Sequence, residues 1–263
     1  MASAKTNEPR LLTFSERAKF ALTPKRLYAH YRASRELRHR ACEPELRLLP
    51  YLVDSRRCSV DVGANKGSYT YFLSRLSQHV FAYEPNPAMR KYLAAAACDN
   101  VTISDKALTD HQGEATLTIP FNGKRCANNT GSLEKSHASR ENCVEVTVPV
   151  GRLDDEPIRD VGFIKIDVEG HEASVLRGAR HVILRDRPVL LVEILPEPTP
   201  RHTLETVEQI ELLGYETFVM LDSRLVLLRS VLAGPHASEG GGSEFSRRAS
   251  NNFIFLPTGK RAA

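Results

Sequence analysis

Asp167, Glu169, His171 and Glu172 fall within the six residues of "DVEGHE". They follow the apolar run "GFIKI", so a buried strand would deliver them at its end. Three kinds of chemistry are open to them. Asp167, with Glu193 at the end of the next apolar run "PVLLVEIL", could hold a divalent cation, and oxygen ligands suit magnesium. His171 or Glu169 could act as general base. Alternatively, Glu169 and His171 cap the following helix, whose N-terminus favours anionic side chains. A zinc-protease reading fails, because "HEASV" has valine where H-E-x-x-H needs its second histidine. The candidate catalytic residues are therefore Asp167, Glu169 and His171, and the candidate metal pair is Asp167 with Glu193.

A second constellation is "SVDVGANKGSYT", a glycine-rich turn directly after a short apolar run. A dinucleotide turn wants G-x-G-x-x-G, but Asn65 and Ser68 occupy its second and third glycine positions. The spacing of a Walker phosphate loop is also missing. What remains is acidic–x–G–x–N–x–G, from Asp61 through Gly63 and Asn65 to Gly67. Glu84 lies 21 residues beyond Gly63, where a carboxylate can accept both hydroxyls of a ribose. A cofactor with a ribose and a cationic amino-acid tail, but no phosphate, suits two carboxylates without a basic anchor. S-adenosylmethionine has that chemistry.

The elements that must position these residues alternate between strand and helix from residue 58 onward. "CSVDVG", "HVFAYEP" and "VTISDKAL" read as strands, with helices over "SYTYFLSRLSQ" and after the prolines of "EPNP". "GEATLTIP" and "ENCVEVTVPV" are further strands, separated by a polar loop over 122–140 near the site. "HEASVLRGARHVILRD" reads as one helix with Val175, Leu176, Ala179 and Ile183 inward. "TLETVEQIELLGY" is a helix closed by Gly214. "ETFVML" and "NNFIFLP" are the last strands, joined through the glycine-rich segment 233–250, which reads as a surface loop. The expectation is an α/β fold with a mostly parallel, doubly wound sheet. Its ligands would bind outside the carboxyl ends of the strands, where every candidate residue sits.

Bulk composition narrows the class. The chain of 263 residues is 41% hydrophobic and 26% charged, ordinary for a globular protein. No apolar stretch reaches the length of a membrane span, and the first thirty residues lack a secretory core segment. The five cysteines form no Cys-x-x-Cys pair and read as reduced thiols, so a cytoplasmic protein is expected. Residues 1–50 hold eleven Lys and Arg against five Asp and Glu, a balance of +6 within a total of +4. This arm reads as a basic, mainly helical extension, followed by one domain over 51–263. The extension could touch anionic lipid at a membrane periphery, a polyanionic substrate or a partner. With no nucleic-acid motif beside the charge, a nucleic-acid substrate is not the favoured reading.

Together, "DVGANKGSYT", "AYEPNP", "SDKALTD", "IKIDVEGHE" and "LLVEI" resemble the FkbM-type methyltransferases in order and spacing, over about residues 58–256. The resemblance implies a class I, Rossmann-like methyltransferase fold that uses S-adenosylmethionine. It also implies O-methylation of a hydroxyl on a carbohydrate, glycoconjugate or related natural product. On this resemblance Asp61, Gly63, Asn65 and Gly67 form the turn under the methionine moiety, Glu84 holds the ribose, and Asp105 approaches the adenine. The alternatives are an N- or nucleic-acid methyltransferase and a non-catalytic scaffold that binds a partner through its basic arm. The Asn/Asp-Pro-Pro-aromatic motif of many base-methylating enzymes is missing where "DVEGHE" stands.

Overall fold

The structure is a computed structural model. It describes residues 43–122, 125–126, 132–133, 143–194, 200–221, 224–233 and 249–259. The basic arm as far as residue 42, most of the 122–140 loop and residues 234–248 lie outside the described residues.

A 3-10 turn (Pro44–Arg47) and a short helix α1 (Leu49–Leu52) lead into β1 (Cys58–Val62), α2 (Ser68–Leu76), β2 (His79–Tyr83), α3 (Pro87–Ala96) and β3 (Val101–Ser104). An insertion follows, with β4 (Ala107–Leu108), β5 (Gly113–Asn122), β6 (Arg125–Cys126) and β7 (Cys143–Gly151). The chain then resumes with β8 (Val161–Ile166), α4 (Glu172–Gly178), α5 (Arg180–Asp186) and β9 (Val189–Glu193). It finishes with α6 (Pro200–Glu211), β10 (Tyr215–Leu221), β11 (Arg224–Leu227), α7 (Leu228–Leu232) and β12 (Ala249–Pro257).

The main sheet has the order β11-β10-β12-β9-β8-β1-β2-β3. Strands β3, β2, β1, β8 and β9 run parallel, and β12 is inserted antiparallel between β9 and β10. All six residues of β8 are buried, as a strand covered on both faces requires. One face packs Val62, Ile164, Val192 and Phe255 against Val175 and Ile183 of α4 and α5 and Val207 of α6. The other packs Phe163, Leu191 and Ile254 against Tyr69 and Leu73 of α2, with Leu46 and Leu49 closing over them. The doubly wound sheet expected from the sequence is therefore present.

Three elements differ from the sequence reading. "VTISDKAL" is not one strand: the Lys106 N–H bonds the Ser104 hydroxyl at 3.3 Å, and Ala107 crosses to pair with Val150 in a second sheet ordered β4-β7-β5-β6. "HEASVLRGARHVILRD" breaks at Ala179, because the Thr109 backbone presses on Gly178 so closely that a Cβ would lie 1.9 Å from the Thr109 oxygen. The four residues assigned to its inner face are nonetheless buried. Strand β11 and helix α7 form an edge hairpin and turn that periodicity did not reveal.

Candidate cofactor cleft and active site

Strand order reverses at β1: β2 and β3 extend to one side, β8 and β9 to the other. The crevice of such a sheet opens at this switch, between the carboxyl ends of β1 and β8. Gly63 leaves β1 in the left-handed region at φ 76°, and the Gly63 and Ala64 N–H groups both donate to the Tyr83 carbonyl at 3.0 Å. A Cβ on Gly63 would sit 1.9 Å from the Asp167 carbonyl oxygen. The glycine turn and the "DVEGHE" segment thus meet backbone to backbone. Asn65 is left-handed at φ 51°, a conformation asparagine tolerates better than most residues. Gly67, at φ 85°, starts α2.

Glu84 stands just past β2 and is 6% exposed. Its Oε2 accepts the Asn65 N–H at 2.6 Å and its Oε1 accepts the Asn86 N–H at 2.7 Å. The carboxylate therefore clasps the β1 turn to the β2 turn. Each oxygen retains an unused lone pair for a hydroxyl. Burial pushes its pKa up to about 7, against the pull of those two N–H groups.

An open cleft runs from Gly63 and Asn65 past Glu84 to an apolar wall of Ala107, Leu108, Leu117 and Leu133, supplied by the inserted sheet and the segment beyond it. Lys106 borders this wall and is ion-paired to Glu156 at 2.6 Å. Asp105 is exposed between β3 and β4, beside the lining residues but not among them. Asp61 is also outside the lining. It lies buried beneath the turn, where its carboxylate accepts the Thr70 hydroxyl of α2, and burial raises its pKa to about 6. Gly67 supports the turn from the helix side.

Asp167, Glu169 and His171 line the same cleft. Glu169, at φ 52°, and Gly170, at φ 95°, fold the chain back on itself before α4. The Glu172 carboxylate holds this bend by accepting the Gly170 N–H at 2.9 Å, and the Ser132 hydroxyl donates to the Glu169 carbonyl at 2.8 Å. Burial, followed by the charge of Asp167, raises the Glu169 pKa to about 7. His171 stands at the N-cap of α4, where its side chain makes no capping hydrogen bond, and its Nε2 lies 2.9 Å from the Thr109 hydroxyl. Thr109 and Ser132 carry no motif, and sequence reasoning passed over both.

Glu193 ends β9 next to Asp167, whose charge adds to burial in raising its pKa. Metal binding is a poor fit to this pair. The Lys165 ammonium lies 3.8 Å from Asp167 Oδ2, and among the described residues no group of three His, Cys, Asp or Glu side chains is arranged around a common centre. Lys165 was legible in principle, as a lone cation inside the apolar run "GFIKI".

The sequence model of the FkbM methyltransferase domain matches residues 61–217, more than half of the chain. The chain belongs to the FkbM methyltransferase family. It is accordingly of an S-adenosylmethionine-dependent family, and the sheet, parallel from β3 to β9 with β12 and the edge strand β11 reversed, is the class I methyltransferase fold. Among solved structures, the chain is similar to the FkbM methyltransferase of Methylobacillus flagellatus, at 16% identity and a TM-score of 0.48 over 82% of this chain and 51% of that one. The chain thus spans about half the length of that protein. It is also similar to a TehB-like SAM-dependent methyltransferase of Corynebacterium glutamicum, at 12% identity and a TM-score of 0.44 over 89% of this chain and 97% of that one. An rRNA methylase of Streptococcus thermophilus matches at 14% identity and a TM-score of 0.38, over 83% and 95% of the two chains. No curated protein sequence matches the chain. Among the described residues, no helix is long and apolar enough to cross a membrane.

The residues present fit S-adenosylmethionine. Gly63 leaves room for close backbone approach, Glu84 can accept hydroxyls, the apolar wall suits a purine, and the acidic lining suits a cationic ligand.

Proposed function

We propose that the protein is an S-adenosylmethionine-dependent O-methyltransferase of the cytoplasm, acting on a hydroxyl of a carbohydrate, glycoconjugate or related natural product. The observation that carries this reading is one continuous cleft. Its lining brings Gly63 and Glu84 together with Asp167, Glu169 and His171.

When bound, the cofactor supplies an electrophilic methyl group on a cationic sulfur. Glu84 holds the ribose hydroxyls, the turn at Gly63 and Asn65 takes the methionine end, and Ala107, Leu108 and Leu117 flank the adenine. Asp61 acts through Thr70 to seat the turn on α2. At the acceptor end, Glu169 or His171 receives the hydroxyl proton, and Asp167 orients the acceptor. Much of the rate in such a displacement comes from holding the reacting atoms in line at contact distance.

Calorimetric titration of S-adenosylhomocysteine into wild type and Glu84→Ala tests the cofactor half. The substitution should weaken binding at least tenfold, about 1.4 kcal/mol. Tritium transfer from labelled cofactor to a panel of glycans, amines and ribosomal RNA tests the acceptor half. Label on amines or RNA alone would reject the O-methyl reading.

A further inference from the structure

Lys165 is 1% exposed, in the middle strand of the main sheet. A buried ammonium is costly unless it is matched, and this one is matched from several elements. Its Nζ lies 3.3 Å from Asn252 Oδ1 on β12, 3.3 Å from the Ile166 carbonyl, 3.8 Å from Asp167 Oδ2 and 5.2 Å from the centre of the Tyr69 ring on α2. Asp61 is its register partner on β1. Asp167 continues β8 beyond Ile166, which pairs with Val192, so Asp167 stands beside Glu193, and Glu193 pairs with Asn252. Glu43, ahead of the first turn, completes the shell. Its Oε2 accepts the Tyr69 hydroxyl at 2.6 Å and the Asn252 amide at 3.4 Å, which turns the Asn252 oxygen toward Lys165.

Asp167, one of the two carboxylates that sequence alone offers to magnesium, therefore already faces a cation, and Glu193 stands beside it. We propose that the Lys165 side chain is a built-in cation buried behind Asp167, standing in for a divalent metal and closing Asp167 and the neighbouring Glu193 to metals. This deepens the methyl-transfer reading and rests on it. A lysine fixed in the sheet supplies positive charge in one geometry without depending on metal supply, and it repels a second cation at the same carboxylates.

Manganese titration followed by electron paramagnetic resonance tests the proposal, using the full chain saturated with S-adenosylhomocysteine. Wild type should leave the manganese spectrum that of the free ion. Lys165→Met, and Lys165→Gln as a second variant, should take up manganese while still binding S-adenosylhomocysteine. Adding Asp167→Asn should abolish that uptake. A folded, ligand-binding Lys165→Met that still excludes manganese would overturn the proposal, as would manganese binding to wild type that Asp167→Asn removes. If neither lysine variant folds, the wild-type and Asp167→Asn titrations decide by the same criterion. Failure of wild type to bind S-adenosylhomocysteine would instead reject the cofactor reading, whatever manganese does.

Discussion

Both oxygens of Glu84 are met by backbone N–H groups, yet burial still lifts its pKa to about 7 from an ordinary 4.5. Two opposite pH effects follow. Between those values the folded chain keeps a proton that the unfolded chain has released, so the Glu84 contribution to stability falls as pH rises from about 4.5 to 7 and is level above. Ribose hydroxyls bind best to the ionised carboxylate, so S-adenosylhomocysteine affinity should rise with pH up to about 7 and then level off. The gain should be up to tenfold per pH unit below that point, and Glu84→Gln should flatten it. Calorimetry across pH 5–8 reads this directly. Gly63→Ala should be worse tolerated than a change at any nearby side chain. It combines a left-handed backbone, costing about 1–2 kcal/mol in an L-residue, with a Cβ 1.9 Å from the Asp167 carbonyl. Thermal melting should show a large loss of stability, and binding should disappear. That Gly63, Asn65, Glu84, Asp167, Glu169 and His171 would line one cleft was legible because each lies just past the end of a parallel strand. Asp61 and Asp105 end strands too, but the direction of a side chain depends on its packing. Thr70 draws Asp61 under the helix, and the turn to β4 leaves Asp105 outside the lining.

At the level of elements, alternation of strand and helix sufficed for the parallel sheet, because β8 and β9 are too apolar to be anything but interior. The breaks were not legible. Nothing in "VLRGARHV" reports that Thr109 will lie against Gly178, a contact between residues far apart in sequence. Gly178→Ala should therefore destabilise by about 1–3 kcal/mol or more through overpacking, despite the better helix propensity of alanine. Urea denaturation measures that loss. The same substitution should disturb the Thr109–His171 contact, so lost stability and a weakened acceptor end should appear together. The second sheet was legible as strands but not as a separate sheet, since pairing partners in antiparallel ribbons depend on the turn between them.

For the whole molecule, the cofactor cleft joins pieces that are distant in sequence, so ligand binding should be felt globally. Saturation at a hundredfold excess over Kd adds about 2.7 kcal/mol to stability. In a domain of this size that should raise Tm by roughly 5–10 °C. The shift should be much smaller in Glu84→Ala, which differential scanning calorimetry can check. Leu46 and Leu49, within the last residues of the basic 1–50 segment, are part of the core over α2. A domain boundary drawn at residue 50 by charge alone would therefore cut through packed structure.

The space that a side chain on Gly63 would need is filled by the carbonyl of Asp167. The glycine turn and the strand end that carries Asp167 are thus in direct backbone contact within one cleft. A ligand that settles the glycine turn must also settle the strand end that faces the acceptor. Ordered addition is the expected outcome, with S-adenosylmethionine first and the methyl acceptor second, and release of S-adenosylhomocysteine last. In steady-state terms the spent cofactor should compete with S-adenosylmethionine but act as a noncompetitive inhibitor toward the acceptor.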